Sequence, residues 1–490
     1  MEKQFLIITP LRIVPLPLEP SLASLSLYTQ ALKNGFNGDL LDFNTIITEH
    51  NVSDYDNIIE ATIDQWLSSN PEVRLIGISI LYSALFERAY KIAKFIKKKY
   101  NDVIVAIGGH HPTIFYKEIL ENCHEIDYVV IGEGEEQFVS LLKMLTQKMQ
   151  NKDDLNNGIA YLSKGRVTVK EKSSYIQDLA SLGVTNYNQV DFRKYFSPDM
   201  ETYYNPKKHD IICAMPISTS RACPYSCNFC GMKDVMGPKF RNRPVENILE
   251  ELKILYYEHD IRYFRITDDC CTAVKKRAMK LFSAIAKSDM DISFEFMQGL
   301  SIKTLDEELI DAIVEAGMIR GGLAIESGSK YLRNKIMNKN LSDEKIYNVI
   351  NYFEKKYPHV WIIIFFLIGL PEETVETLEA NISMIRKFKM VYPITNVIVP
   401  LPGTILWDQC VKDDLFRISI QDIWKESLWA QSTKSWCSDN SNDFETKDRY
   451  IIQPYNLSIE QLDEYHTKLL DIQNEAMQKV VQQKLKKDQW

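Results

Sequence analysis

Three cysteines stand within eight residues, in the segment Arg221-Ala222-Cys223-Pro224-Tyr225-Ser226-Cys227-Asn228-Phe229-Cys230. The spacing is C-x3-C-x2-C, in a chain with only nine cysteines among 490 residues. Thiolates this close make a compact soft-ligand site, and soft ligands select iron–sulfur clusters, zinc or Cu(I). Ligand number separates these. A structural zinc site takes a fourth protein ligand, usually from a second close Cys or His pair. The next Cys or His is the lone His259, and no pair follows it there. Three ligands without an obvious fourth fit a cluster with one iron open to a small molecule; zinc or plain packing are the alternatives.

A site of this kind needs a scaffold that presents a loop. Between about 211 and 405 six strand-like runs occur, five with a helical pattern after them. They are Ile217–Ser220, Tyr263–Thr267, Ser293–Met297, Gly322–Ile325, Trp361–Leu367 and Thr395–Val399. Repeated β–α units of this length predict a full or partial barrel of parallel strands, with functional groups at the carboxyl ends. The cysteines follow the first run directly. Thr267-Asp268-Asp269, Ile325-Glu326-Ser327-Gly328-Ser329, Ile368-Gly369-Leu370-Pro371-Glu372-Glu373-Thr374 and Pro400-Leu401-Pro402-Gly403-Thr404 occupy later ends. An Asp after a strand is as often a helix cap as a ligand contact. The adjacent Cys270 and Cys271 read as buried packing residues.

Residues 1–150 alternate short apolar strands with helices, which predicts an open, Rossmann-like parallel sheet. The strand ends carry Thr9-Pro10, Ser79, Gly108-Gly109-His110-His111-Pro112-Thr113 and Gly132-Glu133-Gly134-Glu135. Ligands on such sheets bind beyond those ends, and glycine there admits close backbone approach. Tight strand-to-helix turns are the plainer reading, and His110 and His111 read as turn residues. No G-x-G-x-x-G follows the first strand, which disfavours a dinucleotide. Pro10, Pro15, Pro17 and Pro20 dot the first loop.

Residues 151–210 read as a connector, with Asp153-Asp154 in a polar linker, a hairpin around Ser163-Lys164-Gly165-Arg166 and a Tyr203-Tyr204 pair. Residues 406–490 read as a mostly helical extension. Trp407, Trp424, Trp429 and Trp436 crowd its start, Cys410 and Cys437 stand alone, and Ser458–Lys484 is an amphipathic helix with a capping box at Ser458 and Gln461.

Composition sets the bounds. About 45% hydrophobic and 25% charged residues fit a soluble globular chain of two or three domains. A net charge of −8 gives no global basic field for nucleic acid. The apolar run Phe5–Ile8 is too short for a signal peptide, and Val360–Leu367 is far short of a membrane span. A cytoplasmic location, where thiols stay reduced, is expected.

The C-x3-C-x-aromatic-C pattern of Cys223, Cys227, Phe229 and Cys230 resembles the cluster motif of the radical SAM superfamily. The resemblance implies a [4Fe–4S] cluster on the three cysteines. Its fourth iron would be chelated by the amino and carboxylate groups of S-adenosylmethionine (SAM). An external reductant such as flavodoxin or ferredoxin would drive SAM cleavage to a 5′-deoxyadenosyl radical. It also implies that Phe229 lies against the adenine and that Asp268, Glu326 and Ser327 meet SAM. Ser79, the G-G-H-x-P-T segment and the G-E-G-E segment resemble the cobalamin-binding domain upstream of one radical SAM class. That likeness implies cobalamin near Pro10, Ser79, Gly108, Gly109, Gly132 and Glu133. The D-x-H-x-x-G motif that supplies a cobalt ligand elsewhere is missing, so no axial ligand is named. The implied activity is methylation of an unactivated carbon through methylcobalamin. A non-methylating radical reaction (cyclisation, rearrangement or epimerisation) and a non-catalytic cobalamin or redox sensor are the alternatives. A peptide, lipid, natural-product or cofactor intermediate would fit as substrate.

Overall fold

The computed structural model describes residues 2–12, 18–47, 54–81, 83–146, 155–196, 205, 207, 209, 211–421, 423–425 and 449–485, the last five as backbone only. Pro15, Pro17, Asp153-Asp154, Tyr203-Tyr204, Trp429, Trp436 and Cys437 lie outside the described residues. The chain divides into two compact units, residues 1–197 with 234–237 and 421–430, and residues 198–233, 238–420 and 431–490.

The first unit is built on strands β1 (Phe5–Thr9), β2 (Gly38–Asp42), β3 (Leu75–Ser79), β4 (Ile104–Gly108) and β5 (Tyr128–Val130), parallel and ordered 2-1-3-4-5. β1 and β3 are buried along their whole length, as expected of strands covered on both faces. Phe5, Ile7, Leu75, Ala106 and Tyr128 of the sheet pack with Phe138, Leu141 and Leu142 of helix Glu135–Thr146. The strand order reverses between β1 and β3. Such a reversal opens a crevice beyond the strand ends, where ligands of open α/β sheets bind. Thr9-Pro10 and Ser79 stand at that point.

Two expectations change here. The hairpin assigned to the connector, β6 (Ile159–Ser163) and β7 (Arg166–Lys170), extends this sheet, with β6 antiparallel to β5. β5 would otherwise present an open edge, which β6 satisfies. His110 and His111 are not turn residues; they begin helix His110–Asn122. Gly109 supplies the turn before them with φ 117.

The second unit carries strands β8 (Met215–Ile217), β9 (Ser220–Arg221), β10 (Arg241–Asn242), β11 (Tyr263–Ile266), β12 (Ser293–Leu300), β13 (Met318–Glu326), β14 (Trp361–Ile368) and β15 (Val391–Val397). Six of them form one parallel sheet in the sequential order β8-β11-β12-β13-β14-β15. Among the described residues no pairing joins β15 to β8, which makes the barrel an open one. β9 and β10 make a separate antiparallel pair. Helices Val245–His259, Lys275–Ala286, Glu307–Glu315, Asp343–Lys356 and Val375–Ile385 alternate with the strands. The last helix, Ile459–Leu485, opens with the expected capping box: Gln461 N–H donates to the Ser458 hydroxyl and Ser458 N–H to the Gln461 side chain. Its Met477 and Val480 pack on Trp361, Ile363 and Phe365, the odd-numbered face of β14. Among the described residues no helix is long and apolar enough to cross a membrane.

Gly109 is the sharpest backbone requirement in the first unit, because an added Cβ would lie 2.2 Å from the carbonyl oxygen of Ile80. Gly109→Ala is expected to cost about 2 kcal/mol or more through strain at positive φ plus that clash. Thermal unfolding followed by circular dichroism should show an earlier first transition than in the parent.

Candidate active site

The cysteine loop is fastened from beneath by a buried carboxylate. Asp268 follows β11 and lies under the chain between β8 and the cysteines. It accepts from Thr219 N–H at 2.6 Å, from the Thr219 hydroxyl at 2.6 Å and from the Ser220 hydroxyl. Burial raises its pKa, against hydrogen bonds from Ser220 and Thr219 and the nearby Arg277 charge. Arg277 donates to the Thr219 carbonyl at 2.5 Å and completes the knot. Asp269 next to it accepts from Ala222 N–H, and burial followed by the Asp268 charge pushes its pKa up to about 6. Ala222 sits at φ 65, a conformation that turns the chain sharply just before Cys223.

The rest of the loop is pinned on both sides. The Ser301 hydroxyl donates to Tyr225 Oη at 3.1 Å. Asn228 donates its backbone N–H to Met337 and its side-chain amide to the Ile336 carbonyl at 2.6 Å, and its own carbonyl accepts from Leu406. Asn338 donates to the Ser226 carbonyl at 2.8 Å. Cys223 and Cys227 are half-buried, Cys230 is exposed, and none of the three is in a disulfide. A hydrogen bond from Cys270 lowers the Cys223 pKa to about 7, whereas burial raises that of Cys227. Cys270 and Cys271 are buried, as expected. Among the described residues no three or more His, Cys, Asp or Glu converge on one metal position. Thiols that each bind a separate iron of a cluster need not converge in that way. The donor set, three free thiols on a fastened loop, therefore fits a cluster.

Glu326 ends β13 across a register shift against β14 and takes φ 72. Non-glycine residues hold such a conformation at a cost, and it turns the side chain off the strand. Its carboxylate pairs with Lys339 at 2.5 Å. Burial alone would lower the Lys339 pKa; Glu326 and the Cys227 thiol hold it above its ordinary value instead. A buried acid and a half-buried base this close to the thiols offer complementary charge to an amino acid zwitterion. Ser327 is fully buried, with its hydroxyl 3.3 Å from the Asn381 side chain. Asn381 also accepts from Gly328 N–H at 2.6 Å, while Arg333 donates to the Ser327 carbonyl at 2.6 Å. Phe229 is half-buried. Of the residues expected around SAM, Glu326 is poised at the thiols, whereas Asp268 and Ser327 are engaged with the protein.

In the first unit, Pro10 and Ser79 are buried at the reversal point. Thr113 ties two of the expected glycine turns together: its hydroxyl donates to Gly109 O at 2.8 Å and accepts from Gly132 N–H at 2.9 Å. Gly108 follows Ile107 into the same turn. Glu133 is buried and accepts from Ile176 N–H at 2.9 Å, while Lys172 donates to its carbonyl. Tyr175 lies 3.3 Å from where a Gly132 Cβ would stand. Gly132 and Glu133 are thus occupied with residues 172–176. His111 is fully buried between Phe86 and Phe115, and burial pushes its pKa down to about 4. Small residues at the strand ends, with Pro10 and Ser79 buried and Gly108 and Gly109 half-buried, fit a bulky ring system held by backbone and shape; His110 beside them is half-buried.

Lys339, Arg333 and Asn381 carry no signal in the sequence, and Thr113 stands there only as the last residue of the G-G-H-x-P-T segment. All four lie in or just after helices, where their types read as solvated or capping groups; only tertiary packing turns them inward.

Two family models match the chain: the radical SAM superfamily over residues 217–385 and the B12 binding domain over residues 25–142. An uncharacterized methyltransferase of Pyrococcus horikoshii is 30% identical over 341 residues, 70% of each chain. The radical SAM methyltransferase TsrM of Kitasatospora setae, solved with cobalamin and a [4Fe–4S] cluster bound, superposes with a TM-score of 0.65 at 16% identity, over 84% of this chain and 78% of its own. The cobalamin-dependent SAM radical enzyme OxsB, solved with aqua-cobalamin and SAM, superposes with a TM-score of 0.68 at 17% identity, over 96% of this chain and 67% of its own. At these identities the two structures show a likeness of fold.

Asp268→Ala leaves the Thr219 and Ser220 donors and Arg277 without their carboxylate. It is expected to cost about 3 kcal/mol and to lower iron retained per chain after anaerobic reconstitution. Glu373 titrates in a different way. It is fully buried, accepts from Gly369 N–H at 2.9 Å and from the Thr377 hydroxyl at 2.8 Å, and burial raises its pKa from 4.5 to about 7. A carboxyl with a higher pKa folded than unfolded takes up a proton on folding. Its stabilising contribution is complete below pH 4.5 and is lost as pH rises through about 7. Thermal midpoints measured across that window should fall with pH in the parent and flatten in Glu373→Gln.

Proposed function

The chain belongs to the radical SAM superfamily, in the class that carries a B12-binding domain and includes methyltransferases, and from that premise we propose that it methylates an unactivated carbon of a peptide, lipid, natural-product or cofactor intermediate. The observation that carries this reading is the juxtaposition of three free thiols with the Glu326–Lys339 ion pair on one fastened set of strand ends. Bound there, a [4Fe–4S] cluster would supply the electron that cleaves SAM, and cobalamin in the first unit would supply a methyl carrier.

The protein's own groups bind and orient. Cys223, Cys227 and Cys230 are the cluster ligands in this reading. Asp268 and Arg277 hold the loop that presents them, and the Asn228 and Asn338 contacts fix its far side. Glu326 accepts from the ammonium of SAM or its ribose hydroxyls, and Lys339 faces its carboxylate. Phe229 covers the adenine. Arg333 and Asn381 hold the loop that follows Glu326, so that its angle does not depend on the ligand. In the first unit, Pro10, Ser79, Gly108 and Gly109 line the corrin crevice, with Thr113 keeping the turns at Gly109 and Gly132 in register.

Anaerobic reconstitution with iron, sulfide, cobalamin and a low-potential reductant tests the reading. Both S-adenosylhomocysteine and 5′-deoxyadenosine are expected from SAM, with deuterium entering 5′-deoxyadenosine from a deuterated methyl acceptor. Alanine at Cys223, Cys227 or Cys230 should lower iron content and reduce SAM cleavage to background. Formation of 5′-deoxyadenosine alone would favour the non-methylating reaction, and iron-loaded protein that never cleaves SAM would favour a sensor.

A further inference from the structure

Lys303 follows β12, close behind the Ser301 that holds Tyr225. Its ammonium sits 4.1 Å from the centroid of the Tyr225 ring, and Tyr225 lies midway between Cys223 and Cys227 in the loop. The side chain is half-buried; burial and the Lys339 charge lower its pKa, while Cys227, Cys223 and Cys270 as thiolates work the other way. Two other cations beside the loop, Lys339 and Lys233, are engaged, with Glu326 and with the Ser226 hydroxyl. Lys303 is not: among the described residues it has no carboxylate and no hydrogen-bond acceptor, only the face of the Tyr225 ring.

A partly desolvated ammonium is costly unless negative charge meets it. An aromatic face offsets part of that cost and fixes the position of the charge. Three thiolates on a [4Fe–4S] core outweigh the core's own positive charge, and one-electron reduction adds a further negative charge at the same place. Net charge near a cluster is among the factors that set its reduction potential.

We propose that Lys303, held on the Tyr225 ring, is the counter-charge for the reduced cluster and eases its one-electron reduction. The inference rests on the cluster reading of Cys223, Cys227 and Cys230. The electron comes from an external one-electron reductant of the flavodoxin or dithionite class. The ammonium keeps its proton, and no bond forms or breaks at Lys303. Lys303 is a positioning residue in this scheme, acting through the field at the cluster.

The test is a potentiometric titration of the reconstituted full-length protein, followed by electron paramagnetic resonance, with iron content measured in parallel. Lys303→Met is expected to make the cluster harder to reduce, by about tenfold in the reduced-to-oxidised ratio at a fixed potential, or about 59 mV for one electron. Lys303→Arg keeps the charge and should remain near the parent. A Met variant with full iron and an unmoved potential overturns the inference. If the Met variant loses iron and the Arg variant retains it, the counter-charge role stands. If both lose iron, the side chain is a folding element and the inference fails. A parent without a cluster overturns the reading of the cysteines and this inference with it. A parent with a cluster and an unmoved Met variant overturns the inference alone.

Discussion

Asp268 is the constraint beneath everything else in the second unit. A loop of three cysteines has no intrinsic shape, and the segment from Thr219 to Ala222 must leave a short strand, pair briefly with Arg241–Asn242 and turn through a left-handed residue. A single buried carboxylate fixes that route by accepting from a backbone N–H and two hydroxyls at once. Its charge is matched by Arg277, which grips the same Thr219 from the other side. A buried carboxylate is tolerable only when fully hydrogen-bonded, and this one is. The thiols inherit their placement from a group that does not touch them.

The same logic recurs one strand pair further along. Glu326 holds an unfavourable backbone angle, and the structure around it fixes that angle rather than the ligand. Arg333, with no exposed surface, bonds to the carbonyls of Ser327 and Leu341 and to the Asp343 carboxylate, and so braces both ends of the segment that returns Lys339 to Glu326. The charged pair is thereby assembled in advance, which reduces the ordering cost a ligand would otherwise meet.

Much of this was legible in the sequence, and the parts that were not share a cause. The cysteine triplet, the alternating strands and helices, and the acidic and hydroxyl residues at strand ends announce themselves through type and spacing. Glu326 and Asp268 were visible as residues at those ends, but their different fates were not. The direction of a side chain at a strand terminus depends on a register shift or on the route of the neighbouring loop, and neither leaves a local pattern. Lys339, Arg333 and Lys303 are residues that composition assigns to solvent. Only folding shows that they face inward. Residues 159–170 read as a hairpin from the sequence, yet their membership of the first sheet depends on the edge of β5, a distant segment of the chain. The helix beginning at His110 was hidden because Gly-Gly and proline mark turns, while here the proline occupies the first helical turn, where its missing N–H costs nothing.

Gly328 gives the molecule one further property. A methyl group there would collide with the Ala380 carbonyl at 2.2 Å, and the adjacent Asn381 holds the Gly328 amide. Helix Val375–Ile385 is therefore geared to the loop after β13, although it belongs to the following β–α unit. The two segments meet without a gap. A shift of that helix would press on the Ser327 loop, so an alteration on the helix's far side would be felt at Glu326 without touching it.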